Sequence, residues 1–379
     1  MSRLLRPSLR HLAARSLQSR AASSSASGTA AAGEAASSRF DGAAPAPSSS
    51  TSAWAPALPR GTEPAYDEAL EFLAAHRKKL AGRVEELRQQ AAGVTDAEEQ
   101  KRLAAVIRSA EVARDVNDPE TRMRFQTQEA VPLSEPVFLH LHQKFWQSGP
   151  LPRLLERART MSVIPDVVPQ LTAQVDLRLA FGQGSGYTDH EAGGGDVLAG
   201  VHVPVSATAT EPTITAVPFH TEERLYTVAL IDADAPDAQA QRYTSWCHWL
   251  ATDVPLSATR TSITVDAGRT LLPYVPAHPA RGTDAHRMTL VLVSQEADSA
   301  ASPAAPSREG FSLAAWLEQA RGEAVGLAFW RSKWAEADAA AVSQVWSTYR
   351  KDEAEPTYGK PPRQSEYEAV DGSRPSRYF

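Results

Sequence analysis

Three short stretches of this 379-residue chain concentrate the side chains that could act chemically. The first, Asp232-Ala233-Asp234-Ala235-Pro236, sets two carboxylates and a proline directly after an apolar run. The second is Trp246-Cys247-His248-Trp249-Leu250, and the third is Pro279-Ala280-Arg281-Gly282-Thr283-Asp284-Ala285-His286-Arg287. Asp232, His248 and His286 would, if close together, form the two-histidine, one-carboxylate donor set that suits catalytic zinc or iron. The plainer reading is structural. Aspartates in turns hydrogen-bond backbone amides, His248 is then a satisfied buried histidine, and Arg287 pairs with a turn carboxylate. No Ser-His-Asp arrangement carries its flanking motif. Cys247 is the single cysteine, which excludes an intramolecular disulfide or a thiolate-rich metal site, and it lacks a reactive-cysteine signature.

Taken in order, the three stretches resemble the signatures of the phosphatidylethanolamine-binding protein family (PEBP). Those signatures are an Asp-Pro-Asp-x-Pro turn, a Trp-His-His segment or near variant, and a Gly-x-His-Arg turn. With the closing Trp-bearing segment, the resemblance covers about residues 165–348. It implies a PEBP-like antiparallel β-sheet domain with a small anion-binding pocket at one end. Asp232, His248 and His286 would line that pocket, Asp234 and Pro236 would shape its turn, and Arg287 would stand at its edge. Two imidazoles and a carboxylate can hydrogen-bond a phosphate-like headgroup, particularly if a histidine is protonated. The chain departs from the pattern at Ala233, Cys247 and Asp284, where a proline, a histidine and a glycine are expected. An acidic Asp284 beside the pocket would repel an anionic headgroup. The expectation is therefore a vestigial pocket, with no metal, no cofactor and no catalysis.

The elements that must position these residues are short strands. Residues 174–181 alternate in part, 213–219 alternate clearly, and 225–231 form a near-continuous apolar run. Residues 249–254, 263–265 and 288–293 read as three more strands, separated by turns rich in Pro, Gly and Asp. Close spacing of short strands points to an antiparallel sandwich or barrel. The Gly-rich stretch 182–195 reads as an inserted loop without the context of a phosphate-cradling loop. Residues 311–349 carry helical signals around Trp316, Leu317, Trp334, Val342 and Trp346.

Ahead of this domain the grammar is helical. Tyr66, Leu70, Leu73, Leu80, Val84 and Leu87 recur at three, four or seven residues, which predicts an amphipathic helix. Its polar face carries Arg77, Lys78, Lys79, Arg83 and Arg88, either a solvated face or a contact strip for rRNA phosphates or a protein partner. Thr95 and Glu98 fit a capping box that opens a second helix through Val112, making an α-hairpin joined near Gly93. Asn117-Asp118-Pro119 stops that helix. A third helical stretch, 137–161, is broken at Gly149-Pro150.

The first 33 residues hold five arginines among Leu, Ala and Ser, with no acid, the composition of a mitochondrial transit peptide. Its removal takes the formal charge from −6 to −11, since five positive charges leave. So acidic a protein is not one that RNA covers over most of its surface. Residues 34–62 are small and polar and read as a disordered linker. No stretch approaches eighteen consecutive apolar residues, so membrane insertion is not expected. The expected division is 1–33 transit peptide, 34–62 linker, 63–164 helical extension, 165–348 PEBP-like domain and 349–379 extended tail.

The leader, the helical extension and segments such as Ile164-Pro165-Asp166-Val167-Val168-Pro169 together resemble the fungal form of the PEBP-like proteins of the mitochondrial ribosome. That resemblance implies a matrix protein, structural and not an enzyme. It would dock in the central protuberance of the large subunit, mainly on neighbouring ribosomal proteins, with limited rRNA contact and a role in mitochondrial translation. The alternative is a free mitochondrial PEBP-like module that binds phospholipid headgroups or restrains a signalling enzyme.

Overall fold

A computed structural model describes residues 54–359, except 128–130, 186–194, 238–239, 265, 267, 296–303 and 352–354. The transit-peptide segment, most of the linker and residues 360–379 lie outside the described residues.

The first helix, α1 (Pro64–Ala92), starts with proline, whose missing N–H is one that the first turn could not bond anyway. Val84 and Leu87 of the expected stripe are buried, and Tyr66, Leu70, Leu73 and Leu80 are half-buried. Helix α2 (Ala97–Asp115) is capped one residue later than the Thr95 box suggested. The Asp96 carboxylate accepts from the Glu99 amide at 3.2 Å, since aspartate caps at least as well as threonine. Asp118 then caps a helix that the sequence reading did not anticipate, α3 (Pro119–Thr127), by accepting from the Thr121 amide at 3.0 Å. Pro119 therefore opens a helix as well as ending one. Helices α4 (Pro136–Ser148) and α5 (Pro150–Thr160) meet at the expected break, Gly149.

Among the described residues nine strands follow: β1 (Val175–Ser185), β2 (Gly195–Asp196), β3 (Thr213–Pro218), β4 (Arg224–Asp237), β5 (Arg242–Leu256), β6 (Ser262–Ile263), β7 (Arg269–Leu272), β8 (His286–Ser294) and β9 (Glu323–Ser332). They form two antiparallel sheets, ordered β2-β1-β3-β6 and β7-β5-β4-β8-β9. Helices α6 (Leu313–Ala320) and α7 (Ala339–Tyr349) complete the domain. Gly182 to Ser185 belong to β1, so the expected glycine loop begins later, and residues 186–194 lie outside the described residues.

The larger sheet is buried on both faces. Along β4, Tyr226, Val228 and Leu230 join one core with Leu177, Leu179 and Phe181 of β1, while Ala229 and Ile231 join another with Phe311, Leu313 and Trp316. Side chains alternate across a strand with period two, so a strand covered on both sides is apolar at nearly every position, the buried Thr227 accepting from Gln295 at 3.1 Å. That is why 225–231 reads as a continuous run. Each fully buried Leu, Ile or Phe here contributes about 1.5–3 kcal/mol relative to exposure.

Strand β9 corrects the expectation for 311–349. The segment Glu323–Ser332 forms the edge of the five-stranded sheet beside β8. Gly326 permits close packing there, because a Cβ at that position would sit 3.2 Å from Leu292 and 3.4 Å from Leu177.

Two junctions tie the helices to the sheets. At the first, His142 of α4 lies 3.0 Å from the Asp176 carboxylate on β1, and the Trp146 ring packs 5.2 Å from Phe219. At the second, the turn after α5 is held by Arg287 of β8, which donates to the carbonyls of Met161 and Ser162 at 3.2 and 2.6 Å.

Candidate functional site

Strands β4, β5 and β8 bring the three sequence groups to one end of the larger sheet. Asp232 stands opposite Trp246 of β5 and Met288 of β8. The aspartate segment is not the free turn expected of it. It continues β4, with an irregularity in the pairing between Asp232 and Ala235. Pro236 extends that strand opposite Tyr243.

Asp232 and His286 face each other directly. His286 Nδ1 lies 2.7 Å from Asp232 Oδ2, and Asp232 Oδ1 accepts from the Asp234 amide at 2.9 Å. On the other side of the ring, His286 Nε2 lies 2.8 Å from Thr283 Oγ1. The Thr283 hydroxyl spends its one hydrogen on the Ala280 carbonyl at 2.8 Å. With the hydroxyl hydrogen on Ala280, Nε2 donates to Thr283 and Nδ1 to Asp232, so both ring nitrogens carry hydrogen. This is the bonding pattern of an imidazolium. Burial opposes that charge, but Asp232 outweighs it and holds the His286 pKa above its usual value. Burial likewise opposes the Asp232 carboxylate, and the charge and hydrogen bond of His286 keep its pKa below the usual range.

His248 is a different kind of group. Its Nδ1 donates to the Val275 carbonyl at 2.8 Å, and burial pushes its pKa down to about 4, so it is neutral near pH 7. Beside it stands His278, which donates from Nδ1 to the Pro276 carbonyl at 3.0 Å and is pushed by burial to about 3. The Trp246 ring meets His248 and His278 edge-on at 4.5 and 4.7 Å, and His278 meets Trp346 of α7 at 5.5 Å. Arg350 lies over Trp346 and Arg308 over Trp246, at 4.4 and 5.3 Å from the ring centroids. Asp232, His248, His278 and His286 are 5, 1, 8 and 2 % exposed. These side chains pack the end of the larger sheet where the three sequence groups meet.

The remaining predicted residues have structural partners. Asp234 accepts from Arg287 Nε and Nη2 at 2.9 and 2.8 Å, and from the Arg287 amide at 2.9 Å. Asp284 does not face the site at all. Its side chain is wholly exposed, 3.9 Å from the Lys333 ammonium. The repulsion argued from its charge therefore does not operate. Cys247 is buried and points into the opposite core, where burial pushes its pKa up to about 12, the reverse of a reactive thiolate. Among the described residues no group of three His, Cys, Asp or Glu side chains is set to hold a metal ion.

His278, Arg308 and Arg350 were not singled out from the sequence, and Thr283 and Trp346 were read only as part of a motif and of a helical segment. His278 lies in Pro276-Ala277-His278-Pro279, a loop without periodicity, eight residues before His286. Only the density of prolines around a histidine marks it.

The basic strip of α1 divides into two kinds. Arg77 pairs with Asp115 and Asp118 at 3.0 and 3.1 Å, Arg83 with Glu86 at 3.0 Å and Arg88 with Glu111 at 2.6 Å. Lys78 and Lys79 enter no ion pair among the described residues. The arginines thus mainly join the helices of the hairpin. Clefts of about 770 and 300 Å³ lie away from the histidines, one along α1 and the other beside Arg242–Ser245.

Residues 188–334 match the family model described as phosphatidylethanolamine-binding protein, in line with the resemblance that the three motif groups carry. Its relatives include the large ribosomal subunit protein mL38 of Schizosaccharomyces pombe. The two are 29% identical over 234 residues, which span 61% of this chain and 72% of the relative. Among solved structures, the chain is similar to carboxypeptidase Y inhibitor in complex with its cognate proteinase, at 16% identity, 48% of this chain, 95% of that one and a TM-score of 0.39. It is also similar to the phosphatidylethanolamine-binding protein of Plasmodium vivax, at 20% identity, 47% of this chain, 96% of that one and a TM-score of 0.35.

Proposed function

We propose that this protein is a structural component of the mitochondrial large ribosomal subunit, supporting mitochondrial translation through a PEBP-like domain that carries out no catalysis. The observation that carries this reading is the extent of the likeness to mL38. The match of 234 residues is longer than the 188–334 span of the family model, so it takes in residues outside that span. A free headgroup-binding module would need only the scaffold.

In this reading residues 1–33 direct the chain to the matrix, 34–62 link, 63–164 dock, 165–348 form the rigid PEBP-like body and 349–379 lie along a neighbour. The place is the central protuberance, and the neighbours are mainly ribosomal proteins, with rRNA contact limited. The formal charge of −6 supports protein neighbours, because phosphate contacts require exposed cations. Asp232, Asp234, Pro236, His248, His286 and Arg287 serve the scaffold as the remnant of a ligand site. The pairing of Arg77 and Arg88 within the hairpin leaves Lys78 and Lys79 as the cations of that face available to rRNA or a partner.

The test is sedimentation of lysed mitochondria through sucrose, with and without magnesium chelation. Co-migration with the large subunit after the subunits separate supports the assignment, and removal of residues 63–160 should then release the protein. A signal confined to the light fractions would discard it in favour of a headgroup-binding module.

A further inference from the structure

The short segment Glu355–Gly359 lies against the loop that serves the buried histidines. The Tyr358 amide donates to the Arg281 carbonyl at 2.8 Å, and Thr357 bridges Arg281 in parallel fashion. The fit at Gly282 is close. It has φ of +91°, and a Cβ placed there would lie 1.8 Å from the Tyr358 carbonyl oxygen. Only glycine satisfies both the backbone angle and the approach. At its start the segment is pinned to α7 by the Ser343 hydroxyl, which donates to the Glu355 carboxylate at 2.7 Å. The guanidinium of Arg281 stacks on Trp334, 4.9 Å from the ring centroid.

The next residue along that loop is Thr283, the acceptor of the outer hydrogen of His286. The inner hydrogen is committed to Asp232. An anion seeking the charge of His286 therefore has one route, which is to displace Thr283. Thr283 is carried by the loop 280–283, and the segment 355–359 lies against that loop at Arg281 and Gly282.

We propose that Glu355–Gly359 is a strap that keeps the PEBP-type pocket shut, so that Thr283 occupies the place of a phosphate-bearing ligand on His286. The site is then autoinhibited by its own C-terminal chain, and its ligand chemistry is latent. This holds whether or not the protein works on a ribosome.

The probe is phosphorylethanolamine, titrated into the full chain and into two variants while the imidazole resonances of His286 are followed by NMR. One variant carries a stop in place of Glu355. The other, Tyr358→Pro, removes the amide that donates to Arg281 along with the ring, and keeps the rest of the C-terminal chain. The expected result is no response in the full chain. Both variants should show a shift of His286 and at least about tenfold tighter binding, with about tenfold faster hydrogen exchange at the Thr283 amide. The Thr283 amide reports directly because it donates to Ala280 within the loop. Equal binding by the full chain would overturn the proposal. So would faster exchange at Thr283 without binding, since the strap would then not be what blocks the site. Loss of the folded state in both variants would also overturn it, by making the segment a structural part of the fold.

Discussion

Arg287 and Asp234 meet edge to edge across β8 and β4, two hydrogen bonds of 2.9 and 2.8 Å joining guanidinium to carboxylate. The remaining terminal nitrogen of Arg287 reaches Met161, Ser162 and Asp166 beyond the end of α5. One side chain thereby links two strands to the turn that brings the helical extension onto the sheet. The hydrogen bond to Asp234, aided by its charge, raises the Arg287 pKa above its ordinary value.

Replacing Arg287 by lysine should therefore destabilise the protein although the charge is kept. A single ammonium cannot reproduce the two-point grip or span to the α5 turn. With charge-assisted hydrogen bonds at about 1.5–3 kcal/mol, a loss of about 2 kcal/mol is expected in urea unfolding. A change below about 0.5 kcal/mol, the range of an ordinary surface substitution, would mean that the hub is dispensable.

The buried histidines make stability depend on pH with two opposite signs. His248 and His278, with folded pKa near 4 and 3, bind fewer protons folded than unfolded. Their contribution is complete above the unfolded value of about 6.5 and is lost as pH falls toward 4 and 3. Stability should rise between pH 4 and 6.5 by about 1.4 kcal/mol per pH unit for each histidine. His286 acts on the other side. Its raised pKa gives stability that is whole below about pH 6.5 and is lost as pH climbs through the folded value. Chemical denaturation of His278→Phe and His286→Gln across pH should flatten the acid and the alkaline limb respectively. A wild-type profile without an acid limb would contradict the assignment.

The His142–Asp176 contact predicts a local effect. Both side chains are buried, and Arg178 also donates to Asp176, at 2.9 Å. Burial opposes the Asp176 charge, and the His142 hydrogen bond and Arg178 together keep its pKa below the ordinary value. His142→Ala should speed hydrogen exchange in α4 and at the start of β1 roughly tenfold or more, in line with a lost bond to a charged group. The β4–β8 core should not change. Uniform acceleration across the domain would show that the helix and the sheets open together.

On α1 the pairing pattern separates stability from association. Arg88→Ala should cost less than about 1 kcal/mol by thermal melting, as exposed pairs usually do. Lys78→Ala with Lys79→Ala should leave the melting temperature unchanged. If these lysines meet phosphates, the double change should lower affinity for large-subunit particles and reduce its salt dependence. Affinity that is unaltered at low salt would remove them from the contact.

Much of the β-domain is legible in the sequence because its chemistry is local. The three motif groups stand beside apolar runs, and the strand around 225–231 is apolar at successive positions because both its faces are covered. Strand β9 escaped because Glu323–Ser332 is equally apolar but lies between tryptophans that do belong to helices. An apolar run alone does not separate a covered strand from a buried helix. Asp284 was misjudged for a different reason. Its neighbour Thr283 faces His286, but one step along the loop the side chain points to solvent. Thr283 and His278 were missed because their roles depend on hydrogen bonds and ring contacts across the fold, which no spacing encodes.

The larger sheet has no bare face, and that has a mechanical consequence. Its flanks are taken up by the smaller sheet on one side and by α5 and α6 on the other, so a neighbour can load it only through its ends and its appended helices. Such a body behaves as a spacer beam. In the proposed assembly the antiparallel ladder supplies the stiffness, and contacts with neighbours fall to the elements outside the sheets. Changes in the helical extension could thus redirect what the beam connects without altering its length.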